Sequence, residues 1–488
     1  MSTRVTGPRP YPAAGLEPRI GLPVWSIVPL VASGLGIGLG VAVLGERYGP
    51  WAPVALVVVP LVVLVGMTRP VWAMGLVLAA MPVGALELWV GGYSIAVIQL
   101  VALAAVALTA ASRLLAARTP LSWPGRIWWA AGLVGIAVLG TPSAVDPDAA
   151  VKQDLQVVVG LLVALGIVSA VRDAAGVRWL TGVILLVGGG MCAYALTSGE
   201  QLRASFGGAV VGNRAHGLFT EPNQLGIFSA IVLLLGCGAL LGARTAPLRA
   251  GAGIVVAVAL AALGLSLSRG AWLGASLGLV GFVVLLPVAG RRLLLLLLVA
   301  AIGLTAILAH RPDNRDLAIV GDRLRTLSSP TGNPDDARPA IYREAVREII
   351  QRPITGFGPA GFPAASARSG SEVQSYGALH AHNALLTVAA EVGLPAAATL
   401  VGFTLAIGVA ILRTVRRLRR RGRTREAAQV AALGAALLAV VGQGIVDYTL
   451  RHAVIAVLVW ALVGLALAAE RVTAAEPGPD EAEGPAWP

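Results

Sequence analysis

The sequence predicts an all-α integral membrane protein: a polytopic bundle of about 12–14 transmembrane helices, interrupted by one long polar loop. Three observations predict it. Of 488 residues, 57% are hydrophobic and 13% charged, against roughly 25% charged in soluble domains. Mean hydropathy is +0.80. Apolar runs of about 20 residues, the length that crosses a hydrocarbon layer of about 30 Å, recur almost end to end.

Helices are expected near 22–45, 51–67, 71–90, 94–112, 127–144, 154–171, 178–197, 222–242, 250–267, 271–289, 292–309, 381–411, 426–446 and 452–469. The run from Leu22 to Gly45 is too long for a signal-peptide core, so it reads as the first spanning helix. Residues 1–471 form the transmembrane domain and 310–379 its long loop. Within that loop Ile341, Ala345, Val346, Ile349 and Ile350 recur at helical spacing and predict a short amphipathic helix. The Pro-, Glu- and Gly-rich stretch 472–488 reads as a disordered cytoplasmic tail.

Charge position sets orientation. With the N-terminus inside, one face collects most of the arginines, among them the run from Arg413 to Arg425. The short loops of the other face offer only Arg47, Lys152, Arg203, Arg214, Arg269 and Arg451. By the positive-inside rule both termini are cytoplasmic and the loop 310–379 is extracytoplasmic. The arginine run reads as a positive-inside anchor, with contact to anionic lipid as the lesser reading. A net charge of +12 distributed in this way does not imply nucleic acid. Cys192 and Cys237 fall inside apolar runs and read as packing residues.

Three segments on the outer face carry the chemistry: residues 212–226, 267–272 and 356–393. Arg269, between two apolar helices, is either a turn residue reaching the interface or a cation aimed into a cavity. Arg214 precedes a helix opening at Glu221, Pro222 and Asn223, whose backbone N–H groups favour an anion. Two arginines together can hold a pyrophosphate by bidentate hydrogen bonds. His380 and His382, in a chain with five histidines, precede a helix, and an HxHN pair at a helix mouth suits a general base. With no thiol, third histidine or convergent carboxylate beside them, no metal site is expected. Glu391 is expected to hold structure, and Asp447 to pair with Arg451 rather than face the cavity. GFGPAG at 356–361 matches a dinucleotide glycine pattern only literally, since the flanking strand is missing.

These residues resemble the bacterial O-antigen ligase and polymerase superfamily of membrane glycosyltransferases. The resemblance rests on Arg214, Gly217, Pro222 and Asn223; on Ser268, Arg269 and Gly270; on Arg338 to Ala345; on Pro353 to Gly358; and on His382-Asn383 with Glu391 and Gly393. It spans 212–393. Tyr342 stands one position later than the family's aromatic residue, a small departure. The resemblance implies a GT-C-like fold in the cytoplasmic membrane, an extracytoplasmic active site and an undecaprenyl-pyrophosphate glycan donor. It implies no cofactor or metal ion. Arg214 and Arg269 would hold the pyrophosphate and His382 would deprotonate a hydroxyl of a glycan or lipid acceptor. His380, Arg338, Asn223, Glu391 and Asp447 would support them. A ligase, a polymerase and a protein-glycosylating member all fit; the alternative of a different kind is a transporter or flippase for lipid-linked glycan.

Overall fold

The computed structural model describes residues 62–90, 93–199, 201–206, 209–309, 337–371, 373 and 380–475. The helix expected over 22–45, most of that over 51–67, the loop stretch 310–336 and the tail beyond Ala475 lie outside the described residues.

The fold is an all-α polytopic membrane bundle. Among the described residues eight helices are long and apolar enough to cross a bilayer. In chain order the helices are α1 (Pro70–Ala79), α2 (Val97–Ala111), α3 (Ile127–Gly140), α4 (Pro147–Ala170), α5 (Ala174–Thr197), α6 (Pro222–Gly242), α7 (Ala246–Leu265), α8 (Arg269–Leu285) and α9 (Pro287–Ala309). They continue with α10 (Arg338–Gln351), α11 (Phe362–Arg368), α12 (Ala384–Val392), α13 (Leu394–Arg420), α14 (Thr424–Gly444) and α15 (Ala453–Ala475). Leu139, Leu186, Leu295, Leu296 and Leu298 stand exposed on the flanks, an arrangement stable only where lipid is the solvent.

Local chemistry starts these helices. Asp146 caps α4 by accepting from Ala149 N at 3.1 Å with Pro147 at the first helical position, and Asp173 caps α5 through Gly176 N at 2.8 Å. The centre of the bundle is α6, which packs on α7, α8 and α14, while α15 lies along α4. Along the α8–α14 seam Gly274 and Gly278 lie against the carbonyls of Ala439 and Ala435, where no Cβ fits. Such close approach of two helix backbones is the membrane equivalent of core packing, and it fixes Arg269, the first residue of α8, beside the end of α14.

Two expected helices differ in extent. The helix expected over 71–90 stops at Ala79 and gives way to a short turn and a hairpin, β1 (Glu87–Val90) with β2 (Tyr93–Ala96); Pro82, inside the turn, cannot continue the helical hydrogen bonding. The run 381–411 is two helices, broken at Gly393, whose φ of +99° brings it against Ile354 O. A second hairpin, β3 (Gln201–Phe206) with β4 (Ala209–Ala215), precedes α6. On α10, Ile341 and Ala345 are buried with Phe362 and Ala390, but Val346 and Ile350 are exposed. The buried stripe instead includes Glu344 and Glu348, which accept from Ser369 at 2.8 Å and Ser366 at 3.1 Å.

Candidate active site

The site is assembled where α6, α8 and α12 begin and α14 ends. Asn383 opens α12: its Oδ1 accepts from Leu386 N at 2.9 Å, and its Nδ2 donates to Ile445 O at 2.7 Å. One side chain thus caps the helix and staples it to the end of α14. This leaves His380 and His382 in the preceding turn rather than on one helix, with the two rings 4.5 Å apart. Both histidines precede the helix, as the sequence places them. His382 has φ of +49°, a costly conformation for a residue with a Cβ. Tyr342 of α10 donates to its carbonyl at 3.3 Å.

Both rings turn to Asp447, just beyond α14. His382 Nδ1 lies 3.1 Å and His380 Nε2 3.4 Å from Asp447 Oδ1, which also accepts from Tyr448 N at 2.8 Å. A carboxylate only accepts, so each ring nitrogen facing it carries the proton. Burial pushes the Asp447 carboxyl up, but the hydrogen bonds from His380 and His382 outweigh it and hold the group well below the usual carboxylate range. Burial above all pulls His380 down, and it pulls His452, which packs on Phe219, down to about 4. The side chain of His382 is 29% exposed against 4% for Asp447. His382 is therefore the ring that can meet a substrate, with Nε2 as its free acceptor.

Asp447 corrects two expectations. It does not pair with Arg451; that guanidinium pairs with buried Glu391, whose Oε2 also accepts from Ala360 N at 3.0 Å. It is also the convergent carboxylate absent from the sequence argument, since the three ligand atoms of His380, His382 and Asp447 lie within 4.8 Å of one another, close enough for one cation. A metal-bound imidazole usually donates its second N–H to an acceptor. His380 Nδ1 is buried and has none, so the donor set fits the hydrogen-bonded arrangement better than an ion.

A continuous chain of contacts links the histidines to both arginines. Arg214 on β4 donates through Nη2 to Asn223 Oδ1 at 2.8 Å and through Nε to Ser266 O at 2.9 Å. Gln443 Nε2 donates to Asn223 O at 3.2 Å, and Asp447 N to Gln443 O at 2.9 Å. Ser266 and Ser268 form the turn into α8; Ser268 caps it by accepting from Ala271 N at 3.3 Å, so half-buried Arg269 stands one residue inside. Exposed Glu221, before α6, lies within electrostatic reach of Asp447, His382 and Arg214. Glu221 and Gln443 had no assigned role in the sequence reading, though Glu221 was legible beside Pro222. Arg338, half-buried at the start of α10, belongs to the helix whose Tyr342 touches His382.

The GFGPAG loop is a packing device. Phe357 N donates to Ala390 O at 3.0 Å and Gly358 N to Glu391 O at 2.8 Å, while Leu394 N donates to Pro353 O at 2.8 Å. Gly356, with φ of +60°, abuts the Glu391 backbone.

The family model for O-antigen ligase matches residues 254–401. Over that segment the chain is similar to the O-antigen ligase family. The ligase segment contains Arg269, Arg338, His380, His382 and Glu391, whereas Arg214, Asn223 and Asp447 come from elements packed around it. None of the curated proteins compared with the chain matches it. A solved structure of a peptidoglycan synthase complex contains a chain similar over 73% of this chain and 100% of its own length, at 16% identity and a TM-score of 0.43.

Proposed function

We propose that the protein transfers a glycan from undecaprenyl pyrophosphate to an acceptor hydroxyl at the outer face of the cytoplasmic membrane. The observation that carries this reading is the hydrogen bond between His382 Nδ1 and buried Asp447, which leaves Nε2 unprotonated and pointing away from the carboxylate. In the reaction the acceptor O–H gives its proton to His382 Nε2 and its oxygen bonds to the anomeric carbon. The bond from that carbon to the pyrophosphate oxygen breaks, its electron pair leaves with the lipid pyrophosphate, and configuration inverts. Asp447 stabilises the imidazolium that forms. Arg214 and Arg269 take up the charge developing on the leaving pyrophosphate, the electrostatic work that metal ions do in other transferases.

The experiment pairs two readouts on purified protein in liposomes: cleavage of a lipid-linked glycan donor and movement of intact donor between leaflets. Cleavage that requires an acceptor hydroxyl is expected. Movement without any cleavage would make the protein a transporter that uses the same arginines.

A further inference from the structure

Helix α13 is long for a spanning segment. Its 27 residues rise about 40 Å, against a hydrocarbon layer of about 30 Å. Arg413 stands about 29 Å along the helix from Leu394, so the last two turns lie at headgroup depth, at the end of α13 away from His382. Arg413, Arg416, Arg417 and Arg420 are each three or four residues from another of the set, which places them on a single stripe that Arg421 extends just beyond the helix. They line an open cleft of about 490 Å³.

The opposite face of these turns, with Thr414, Val415 and Leu418, is buried. Arg419, off the stripe, donates to Leu285 O at 3.0 Å, and Arg421 donates to Thr473 O at 3.0 Å. Arg413, Arg416, Arg417 and Arg420 are exposed, and among the described residues no carboxylate pairs with them. Like charges four residues apart repel along a helix, and this stripe contains three such pairs: 413 with 417, 416 with 420 and 417 with 421. The positive-inside rule asks only for basic residues in the loop. It does not ask for four exposed guanidinium groups on one side of a helix, facing a cleft and without a carboxylate partner among the described residues.

We propose that this cleft holds the headgroup of an anionic lipid carrying two phosphates. Four guanidinium groups without carboxylate partners supply bidentate contacts for two phosphodiesters, and the depth of the stripe matches the phosphate layer of a leaflet rather than free solution. The same chemistry would bind soluble phosphate, so the test separates the two sources. Full-length protein is purified in detergent, given diphosphatidylglycerol, phosphatidylglycerol or phosphatidylcholine, and the retained lipid is counted by native mass spectrometry. Retention should fall in that order, and the combined Arg413→Gln, Arg416→Gln, Arg417→Gln and Arg420→Gln variant should lose the preference for diphosphatidylglycerol by at least about tenfold. The four corresponding Lys substitutions should lose part of it. An Arg244→Gln, Arg249→Gln variant, basic but outside the cleft, should keep it. An unchanged melting temperature identifies folded variants. Equal retention of the lipids by wild type, unchanged retention by the Gln variant, or complete displacement by millimolar inorganic phosphate would each overturn the proposal. So would a rise in lipid retention to be seen only when Glu476, Asp480, Glu481 and Glu483 are all changed to Gln, which would make the acidic tail the occupant.

Discussion

At the scale of single residues, the site depends on Asp447 holding His382 in one tautomer. Asp447→Asn keeps size and one acceptor oxygen but removes the charge that stabilises a protonated ring, so transfer should fall by about 10² to 10⁴ with donor binding retained; a loss under threefold would return Asp447 to a packing role. Arg214→Lys and Arg269→Lys should each restore little of the activity lost in the Ala variants, because an ammonium cannot make the two-pronged contact. Lys variants as active as wild type in a steady-state assay would remove the bidentate role. His382 and both arginines were legible in the sequence because each stands beside a helix mouth in an otherwise apolar chain. The partner of Asp447 was not. Helical spacing offers Arg451, four residues on, but the chain turns through Thr449–Arg451, and the true partner lies 65 residues away.

Among the elements, α10 carries the plainest consequence of burying polar groups. Burial pushes the Glu348 carboxyl up to about 8, against a lowering by the Ser366 hydrogen bond, and its Oε2 has no partner. Below the ordinary value of 4.5 both folded and unfolded chains hold this proton, and the group costs nothing. Between 4.5 and about 8 the unfolded chain releases it while the folded chain keeps it, so stability declines as pH rises and levels off above that window. Glu348→Gln removes the effect. The melting temperature of wild type should fall relative to the variant by a few degrees from pH 5 to pH 8; parallel curves would show that Glu348 is ionised at neutral pH. The apolar periodicity located α10 but not which side of it is buried, since the serines of α11 that satisfy Glu344 and Glu348 are distant in sequence. The break at Gly393 was hidden for a related reason: an apolar run continues through it, and only the approach of Ile354 O requires a glycine there.

For the whole molecule, composition alone identified a membrane bundle, and most spanning helices lie where apolar runs place them. Hydropathy cannot distinguish the end of a helix from an apolar turn and strand, which is why 71–90 reads as one spanning helix but folds as α1, a turn and the first strand of a hairpin. The proposed orientation puts Gly422, in the turn between α13 and α14, inside the cell and 326–336 outside. Cysteines introduced at Gly422 and within 326–336 should react with an impermeant thiol reagent from opposite sides of intact cells; labelling from one side would remove the extracytoplasmic reaction. The central claim is that the whole assembly serves one proton acceptor. The most direct measurement incubates purified wild type, His382→Ala and His382→Gln with undecaprenyl-pyrophosphate glycan and acceptor, and follows release of free lipid pyrophosphate together with donor binding. Both variants should bind donor and turn over about 10² to 10⁴ times more slowly, whereas wild-type turnover by either would contradict the account.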